Sequence, residues 1–248
     1  MTRRQRITIT SPDELEKAAL HYGMLPFFSS PVPGLSIREM IHPSLWFSDS
    51  DEGPWEWKGP IIRRGKLAYG KFFGGKAGYV SLDLLPDLVN LRRAKTPVSR
   101  RITDPAFGLS EEDILDIISL NDTMLSRDLK TALGMLRPAK RQAHELVDLT
   151  GTAYSAPSTK NRGGLERILT RLQMQTRLCI ADFEYAISKS GRQYGWGLAR
   201  YTTPENLYGS ALLDIGERSP EESFALLMDR LRAVLPDAGD ARLKKLIG

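Results

Sequence analysis

Cysteine is almost missing from this sequence, and its scarcity excludes two kinds of architecture. Cys179 is the single cysteine in 248 residues, so the chain can form neither an internal disulfide framework nor a zinc site with several thiolates. The three histidines are scattered, at positions 21, 42 and 144, and none lies in an H-E-x-x-H or a Cys/His spacing. The sequence therefore predicts no metal site and no cofactor, and it fits a reducing compartment.

Long apolar runs are missing as well. No stretch approaches the ~20 apolar residues that a membrane span needs. The first 20 residues are basic at the start but lack the uninterrupted apolar core of a signal peptide. We therefore expect a soluble, cytoplasmic protein that does not associate with a membrane.

Positive charge is present, and it is concentrated in one part of the chain. The formal net charge is +5. Residues 160–204 contain eight Lys or Arg and three Asp or Glu, so this stretch alone carries as much net charge as the whole protein. A local excess of this kind indicates a surface that meets a polyanion.

The same stretch has the pattern of one helix followed by a β-hairpin. At about 100° per residue, five side chains fall in one narrow stripe that should face the core. These are Leu165, Ile168, Leu169, Leu172 and Thr176. Alternation from Cys179 onward predicts a strand, residues 188–192 a polar turn, and residues 194–200 the return strand. A helix followed by a charged hairpin is the reading half of a winged helix-turn-helix, a fold that binds duplex DNA.

The outward side of this unit supplies the residues predicted to bind DNA. The helix side opposite the stripe combines positive charge, a hydroxyl and a soft apolar group, which suit phosphates, base edges and thymine methyls. The predicted contacts are Arg167, Thr170, Arg171, Met174 and Arg177 on the helix, with Lys189 and Arg192 at the hairpin tip. The alternative is an ordinary solvated helix face and a turn charged for solubility. Double-stranded DNA is the predicted partner, and the oligomeric state is left open.

Helix-start signals organise the rest of the chain. Serines at positions 11, 110 and 219 each stand three residues before an acid, and Ser126 opens a further short helix. The apolar face of the helix that begins at Ser110 is assigned to Ile114, Ile117, Ile118 and Leu125. A further helix is predicted over residues 139–149 and a loop over residues 150–164. We predict an α+β protein with mixed residues 1–100, a winged-helix unit over residues 105–204, and C-terminal helices over residues 205–248 that pack back on it.

The N-terminal region has short aromatic segments that favour a small antiparallel sheet. They cover residues 45–47, 54–62, 67–73 and 78–82. Residues 70–76 have P-loop spacing, but Ala77 lacks the hydroxyl that holds magnesium, so a Gly-Gly hairpin turn explains them better. Residues 91–101 contain five basic residues and no acid, which suits a solvated linker or, less simply, an arm that contacts phosphates.

Several phrases resemble those of bacterial AlkZ-related winged-helix proteins. They are RLQMQTRLCIADFEY, YGWGLARYTTPE, GPWEWKGP and YGKFFGGKAGYVSLD, and the similarity covers roughly residues 24–90 and 110–205. The better-known relatives of this group are DNA glycosylases that excise bases joined in interstrand crosslinks. The resemblance implies DNA binding and, more weakly, base excision.

Those glycosylases hold a catalytic water with a Gln-x-Gln pair, so the resemblance nominates Gln173 and Gln175 as catalytic residues. On a helix, residues two apart diverge by about 200°, so the two amides would flank opposite sides of the apolar stripe. They could converge on one water only where the backbone is already extended. Two glutamines on the flanks of a helix are the simpler interpretation.

Three functions remain open from the sequence. The first is a DNA-binding winged-helix protein in repair or regulation. The alternatives are a DNA glycosylase that acts on alkylated or crosslinked bases, and a winged-helix module that binds protein. Asp182 and Glu184 could act as a carboxylate pair but suit a solvated strand. A pocket that stacks a flipped base is also possible, although aromatic residues this dense usually form a core. Its candidate residues are Trp46, Trp55, Trp57, Phe72 and Tyr79.

Overall fold

The computed structural model describes residues 8–46, 52–96, 110–133, 162–187 and 193–248. These residues form two three-stranded antiparallel sheets with helices packed around them, which confirms the predicted α+β class. The predicted helix over residues 139–149 and the turn over residues 188–192 lie outside the described residues. No helix within the described ranges is long and apolar enough to cross a membrane.

The first sheet belongs to the N-terminal part and has the strand order β1-β3-β2. Its elements in chain order are α1 (Pro12–Tyr22), β1 (Met24–Pro26), α2 (Ile37–Met40), a 3-10 turn (Pro43–Leu45), α3 (Lys58–Arg63), β2 (Leu67–Phe73), β3 (Lys76–Ser81) and α4 (Leu85–Lys95). Helix α1 begins as predicted, because the Ser11 hydroxyl accepts a hydrogen bond from the Glu14 amide at 3.3 Å. It ends at Gly23, whose φ of 73° suits a residue without a Cβ.

Two of the four predicted N-terminal strands are correct and two are wrong. Residues 67–73 and 78–82 fall on β2 and β3, joined by a Gly74-Gly75 turn in which both glycines have positive φ. Leu45 instead ends the 3-10 turn, residue 47 lies outside the described residues, and residues 54–62 form a turn followed by most of α3. Local hydrogen bonds account for the second, since the Gly53 carbonyl accepts from the Trp57 amide and the Trp57 carbonyl accepts from the Ile61 amide. Aromatic content alone does not distinguish such turns from strands.

The second sheet has the order β4-β6-β5, and α5 and α6 pack on it. The elements are α5 (Glu111–Leu120), β4 (Thr123–Leu125), α6 (Ser126–Ala132), α7 (Arg162–Met174), β5 (Cys179–Ile187) and β6 (Gln193–Thr202). Ser110 and Asp113 form the predicted capping box of α5. Leu125, predicted on the apolar face of α5, lies instead in β4, because the helix stops at Leu120.

Four helices follow the second sheet. They are α8 (Pro204–Tyr208), α9 (Ser210–Leu213), α10 (Pro220–Val234) and α11 (Asp240–Ile247). The Ser219 capping box opens α10 as predicted, and Leu227 and Leu231 are buried. Helix α10 packs on α4, where the Ser223 hydroxyl donates to Asp87 at 2.8 Å. The C-terminal helices therefore pack on the N-terminal part of the chain.

The two sheets share one continuous apolar core. Strand β2 packs against β5, and the rings of Tyr69 and Phe183 meet edge to face with centroids 5.7 Å apart. The Tyr208 hydroxyl in α8 donates to the Leu67 carbonyl at 3.3 Å. Helix α7 also packs against β2, the edge strand of the first sheet, and against α5.

Candidate nucleic-acid interface

Helix α7 buries the predicted apolar stripe. Leu165, Ile168, Leu169 and Leu172 are all buried in the core. Thr176 is buried too, but it lies beyond the end of the helix and has a φ of 56°. The 3.6-residue period therefore predicted the inward face of α7 correctly along the helix itself.

The outward residues of α7 differ in how much of them is exposed. Arg167 is exposed, and Met174 keeps 40% of its surface exposed. The Thr170 hydroxyl accepts a hydrogen bond from the Lys71 ammonium at 3.1 Å. Arg171 forms an ion pair with Glu111, whose side chain is buried. Arg167 and Met174 thus form the open edge of the predicted DNA-binding face.

Arg177 lies past the helix, in the turn that leads to β5. Its guanidinium donates to the Thr96 carbonyl at 3.2 Å. Burial and the neighbouring Arg93 lower the pKa of Arg177. The side chain therefore joins α7 to the end of α4 as well as carrying charge.

The β2–β3 turn adds residues that sequence reasoning did not assign to this surface. A Cβ placed on Gly75 would lie 3.4 Å from the Thr170 methyl and 3.9 Å from the Met174 sulfur, so this turn lies against the outward side of α7. Lys76 is exposed beside it and donates to the Ser29 hydroxyl at 2.6 Å. No local pattern indicates which surface a turn a hundred residues away will cover.

The hairpin of β5 and β6 follows α7 as predicted. Its two strands pair in an antiparallel register, with Glu184 opposite Leu198 and Ile187 opposite Gln193. Lys189 and Arg192, the predicted tip residues, lie outside the described residues. Their assignment as DNA contacts stays a prediction, as does that of the α7 residues.

Gln173 and Gln175 are buried, which corrects the interpretation that they flank the helix. Gln173 is 1% exposed and is fully engaged, because its side-chain oxygen accepts from the Lys71 amide at 3.0 Å and its nitrogen donates to the Leu169 carbonyl at 3.0 Å. Gln175 is 8% exposed and lies one residue past the end of α7. Its side-chain oxygen is buried and accepts no hydrogen bond from any described group. The catalytic assignment of the pair stays a prediction.

The basic stretch at the end of α4 is neither a solvated linker nor a phosphate arm at Arg92 and Arg93. The Arg92 guanidinium is buried and donates to the Ile247 carbonyl at 2.5 Å and to the Met174 carbonyl at 3.1 Å. Burial lowers the pKa of Arg92 to about 10. Arg93 pairs with Glu205 and donates to the Thr176 carbonyl at 2.9 Å. Both arginines hold the C-terminal turn of α7 in place; positions 100 and 101 lie outside the described residues.

The two carboxylates of β5 are engaged in separate ion pairs. Asp182 accepts from Arg63 of α3 at 2.6 Å, and Glu184 pairs with Arg200 of β6. Each carboxylate therefore has its own cation, which suits a strand surface better than paired acid-base chemistry.

The aromatic residues of the hypothetical base pocket divide into two groups. Trp57, Phe72 and Tyr79 are buried core residues. Trp46 and Trp55 are only partly buried, and their ring centroids are 5.6 Å apart. The second group adjoins Lys58, a buried lysine that sequence reasoning did not single out.

Groups that hold metals or act as thiol nucleophiles are not assembled in the described residues. No three His, Cys, Asp or Glu side chains in those ranges are close enough to share a metal ion. Cys179 is fully buried in β5, and burial raises the pKa of its thiol. Such a thiol is a small core residue.

Comparison with known proteins gives one match. No curated protein and no solved structure shows significant similarity to the chain. The model of the AlkZ-related family matches residues 9–248, which is nearly the whole sequence. The chain therefore belongs to the AlkZ-related family.

Proposed function

We propose that this protein binds duplex DNA through a winged-helix unit formed by residues 110–202. The order of its elements carries the proposal. Among the described residues of this stretch the order is helix, short strand, two helices and a two-stranded hairpin, and the short strand β4 pairs with the returning strand β6. This arrangement supports the proposal that α7 is the recognition helix and the β5–β6 hairpin the wing. Membership of the AlkZ-related family supports a role on DNA.

The interface that we propose combines α7, the wing and the β2–β3 turn. Arg167 and Met174 supply the exposed edge of α7, and Lys76 supplies a cation from the turn. Thr170, Arg171 and Arg177 contribute from positions that are already hydrogen-bonded within the protein. Arg171 is only partly exposed and already pairs with Glu111, so its contribution to phosphate binding is expected to be small. Lys189 and Arg192 are proposed to contact the backbone from the wing tip.

Salt dependence tests the proposal. Fluorescence anisotropy with a labelled duplex should give a log-log slope of about −0.9 for each phosphate neutralised. The double substitution Arg167→Ala with Lys76→Ala should weaken binding about tenfold and make the slope shallower by about 2. The same measurement on Arg171→Ala should show a smaller loss of affinity than the double substitution.

Lys245→Ala is the matched control, because this lysine is exposed on α11 and lies outside the proposed interface. It should leave the slope unchanged. An affinity that does not vary with salt, or a double variant that binds like the unaltered protein, would contradict DNA binding through this surface.

Base excision is the second candidate, and one observation favours it. The side-chain oxygen of Gln175 is a buried acceptor with no hydrogen-bond donor among the described residues. Such an atom is suited to orient a water that attacks a glycosidic bond. Gln173 is less suited, because both ends of its amide already bond to the backbone of β2 and α7. We therefore propose Gln175 as the water-orienting residue and Gln173 as its structural neighbour.

A glycosylase assay separates this candidate from binding alone. Duplexes with alkylated or crosslinked bases are incubated with the protein, and abasic sites are measured. Gln175→Ala should abolish the product while DNA affinity is retained, whereas Gln173→Ala should lower protein stability as well. Absence of product from every lesion would leave the binding proposal intact and exclude excision.

A further inference from the structure

A buried lysine lies where the N-terminal part of the chain meets the wing. Lys58 is the first residue of α3, in the segment GPWEWKGP, and it is 4% exposed. Its ammonium nitrogen lies 4.1 Å from the centroid of the Phe183 ring of β5 and 5.2 Å from that of Trp55. Cation–π contact stabilises a charged amine there, but burial opposes the charge.

Contacts between α3 and β5 surround the residue that carries this amine. The Tyr185 hydroxyl of β5 donates to the Trp55 carbonyl, and Arg63 of α3 pairs with Asp182. A Cβ on Gly59 would lie 2.8 Å from the Asp182 carboxylate, so β5 and α3 approach each other closely next to Lys58. The amine is therefore held at the base of the wing instead of moving freely as surface lysines do.

The surroundings make this amine less basic than that of an ordinary lysine. Burial lowers the pKa of Lys58 to about 8, and Glu56 opposes this shift in part. At pH 7.5 about a quarter of such amines is neutral, against roughly 0.1% of ordinary lysines. Desolvated lysines with a lowered pKa are the ones that attack carbonyl carbons.

The location is within reach of a duplex that contacts the wing. Phe183 precedes Ile187, the last described residue of β5, by four positions, which is about 13 Å at the usual rise of a strand. Phe183 and Trp55 are both partly buried, so the amine lies next to two rings that keep some exposed surface. Aromatic rings at such a position can stack an unpaired nucleotide.

We infer that Lys58 is a nucleophile that forms an imine with the aldehyde of an abasic deoxyribose in DNA. The inference rests on the proposed DNA binding. The neutral amine attacks C1′ of the ring-opened sugar and forms a C–N bond. The aldehyde oxygen then leaves as water, and the product is a protonated imine. No oxidant or reductant takes part, and hydrolysis regenerates the amine.

Borohydride trapping tests the inference. The full-length protein is incubated with a duplex that contains one abasic site, prepared by removing a uracil, and sodium cyanoborohydride reduces any imine to a stable secondary amine. A covalent adduct should form, and peptide mapping should place it on Lys58. Its yield should rise between pH 6.5 and 8.5, following the amine and not the neighbouring Glu56, Asp182, Arg63 or Tyr185.

Two variants complete the experiment. Lys58→Arg keeps the positive charge but cannot form an imine, so trapping should fall at least tenfold. Lys66→Arg is the control, since Lys66 is an exposed lysine that pairs with Glu16 at 3.4 Å. Peptide mapping of the unaltered protein decides the matter if Lys58→Arg does not fold. No adduct, or an adduct on another lysine, overturns the inference; anisotropy with the same duplex then shows whether DNA binding fails as well.

Discussion

Lys58 carries a cost in stability that depends on pH. Its pKa is lowered to about 8 in the folded protein by burial, whereas an exposed lysine titrates near 10.4. Between these values the unfolded chain binds more protons than the folded one, so this residue makes the free energy of unfolding rise with pH. The rise from pH 7.5 to 9.5 should be about 2 kcal/mol.

Urea denaturation at several pH values, on the unaltered protein and on Lys58→Met, checks this prediction. The variant retains Cys179 and the buried tyrosines, whose raised pKa values act in the opposite direction at alkaline pH. The difference between the two proteins therefore isolates Lys58. Parallel pH profiles would show that the amine is not desolvated.

At the scale of single elements, the start of α5 shows most clearly how residues close in sequence stabilise a helix end. The Ser110 hydroxyl accepts from the Asp113 amide at 3.1 Å, and the Asp113 carboxylate accepts from the Ser110 amide at 2.6 Å. Ser110→Ala should lower the free energy of unfolding by about 1 kcal/mol, measured by chemical denaturation. Ser126→Ala is the matched control, because α6 is capped by Leu125 without a side-chain bond. A change below about 0.5 kcal/mol is expected there.

Elements of this kind were predictable because their causes lie within a few residues. Capping boxes, the apolar stripe of α7 and the Gly74-Gly75 turn all follow from short-range chemistry. The surroundings of α7 were not predictable in the same way. Lys71 and Thr170 form a hydrogen bond although they are 99 positions apart in the sequence, and no local rule selects such partners. The burial of Gln173 has the same origin, since its partner amide belongs to the edge strand β2.

At the scale of the whole molecule, Arg92 links three regions that are distant in sequence. From α4 it bonds to the last turn of α7 through Met174 and to the end of α11 through Ile247. Arg92→Leu removes these bonds and leaves the Ile247 carbonyl without its donor in a buried position, so it should lower the free energy of unfolding by about 3 kcal/mol. Urea denaturation measures the loss.

Arg242→Ala, at an exposed position of α11, is the control and should change stability by less than about 0.5 kcal/mol. An equal loss in both variants would mean that Arg92 is not a structural link. A loss in Arg92→Leu with an altered denaturant slope would show that the regions unfold separately once the link is removed.

Because the β2–β3 turn lies on α7, isolating residues 110–202 would change the surface of that helix. A segment cut at residues 110 and 202 would lack β2 and β3, so Thr170, Met174 and the amide of Gln173 would be uncovered on one side of the helix. It would also lack Lys76, which comes from the other sheet. The proposed nucleic-acid surface is thus assembled from two remote stretches of chain, and grafting residues 110–202 alone onto another protein would transfer a different surface.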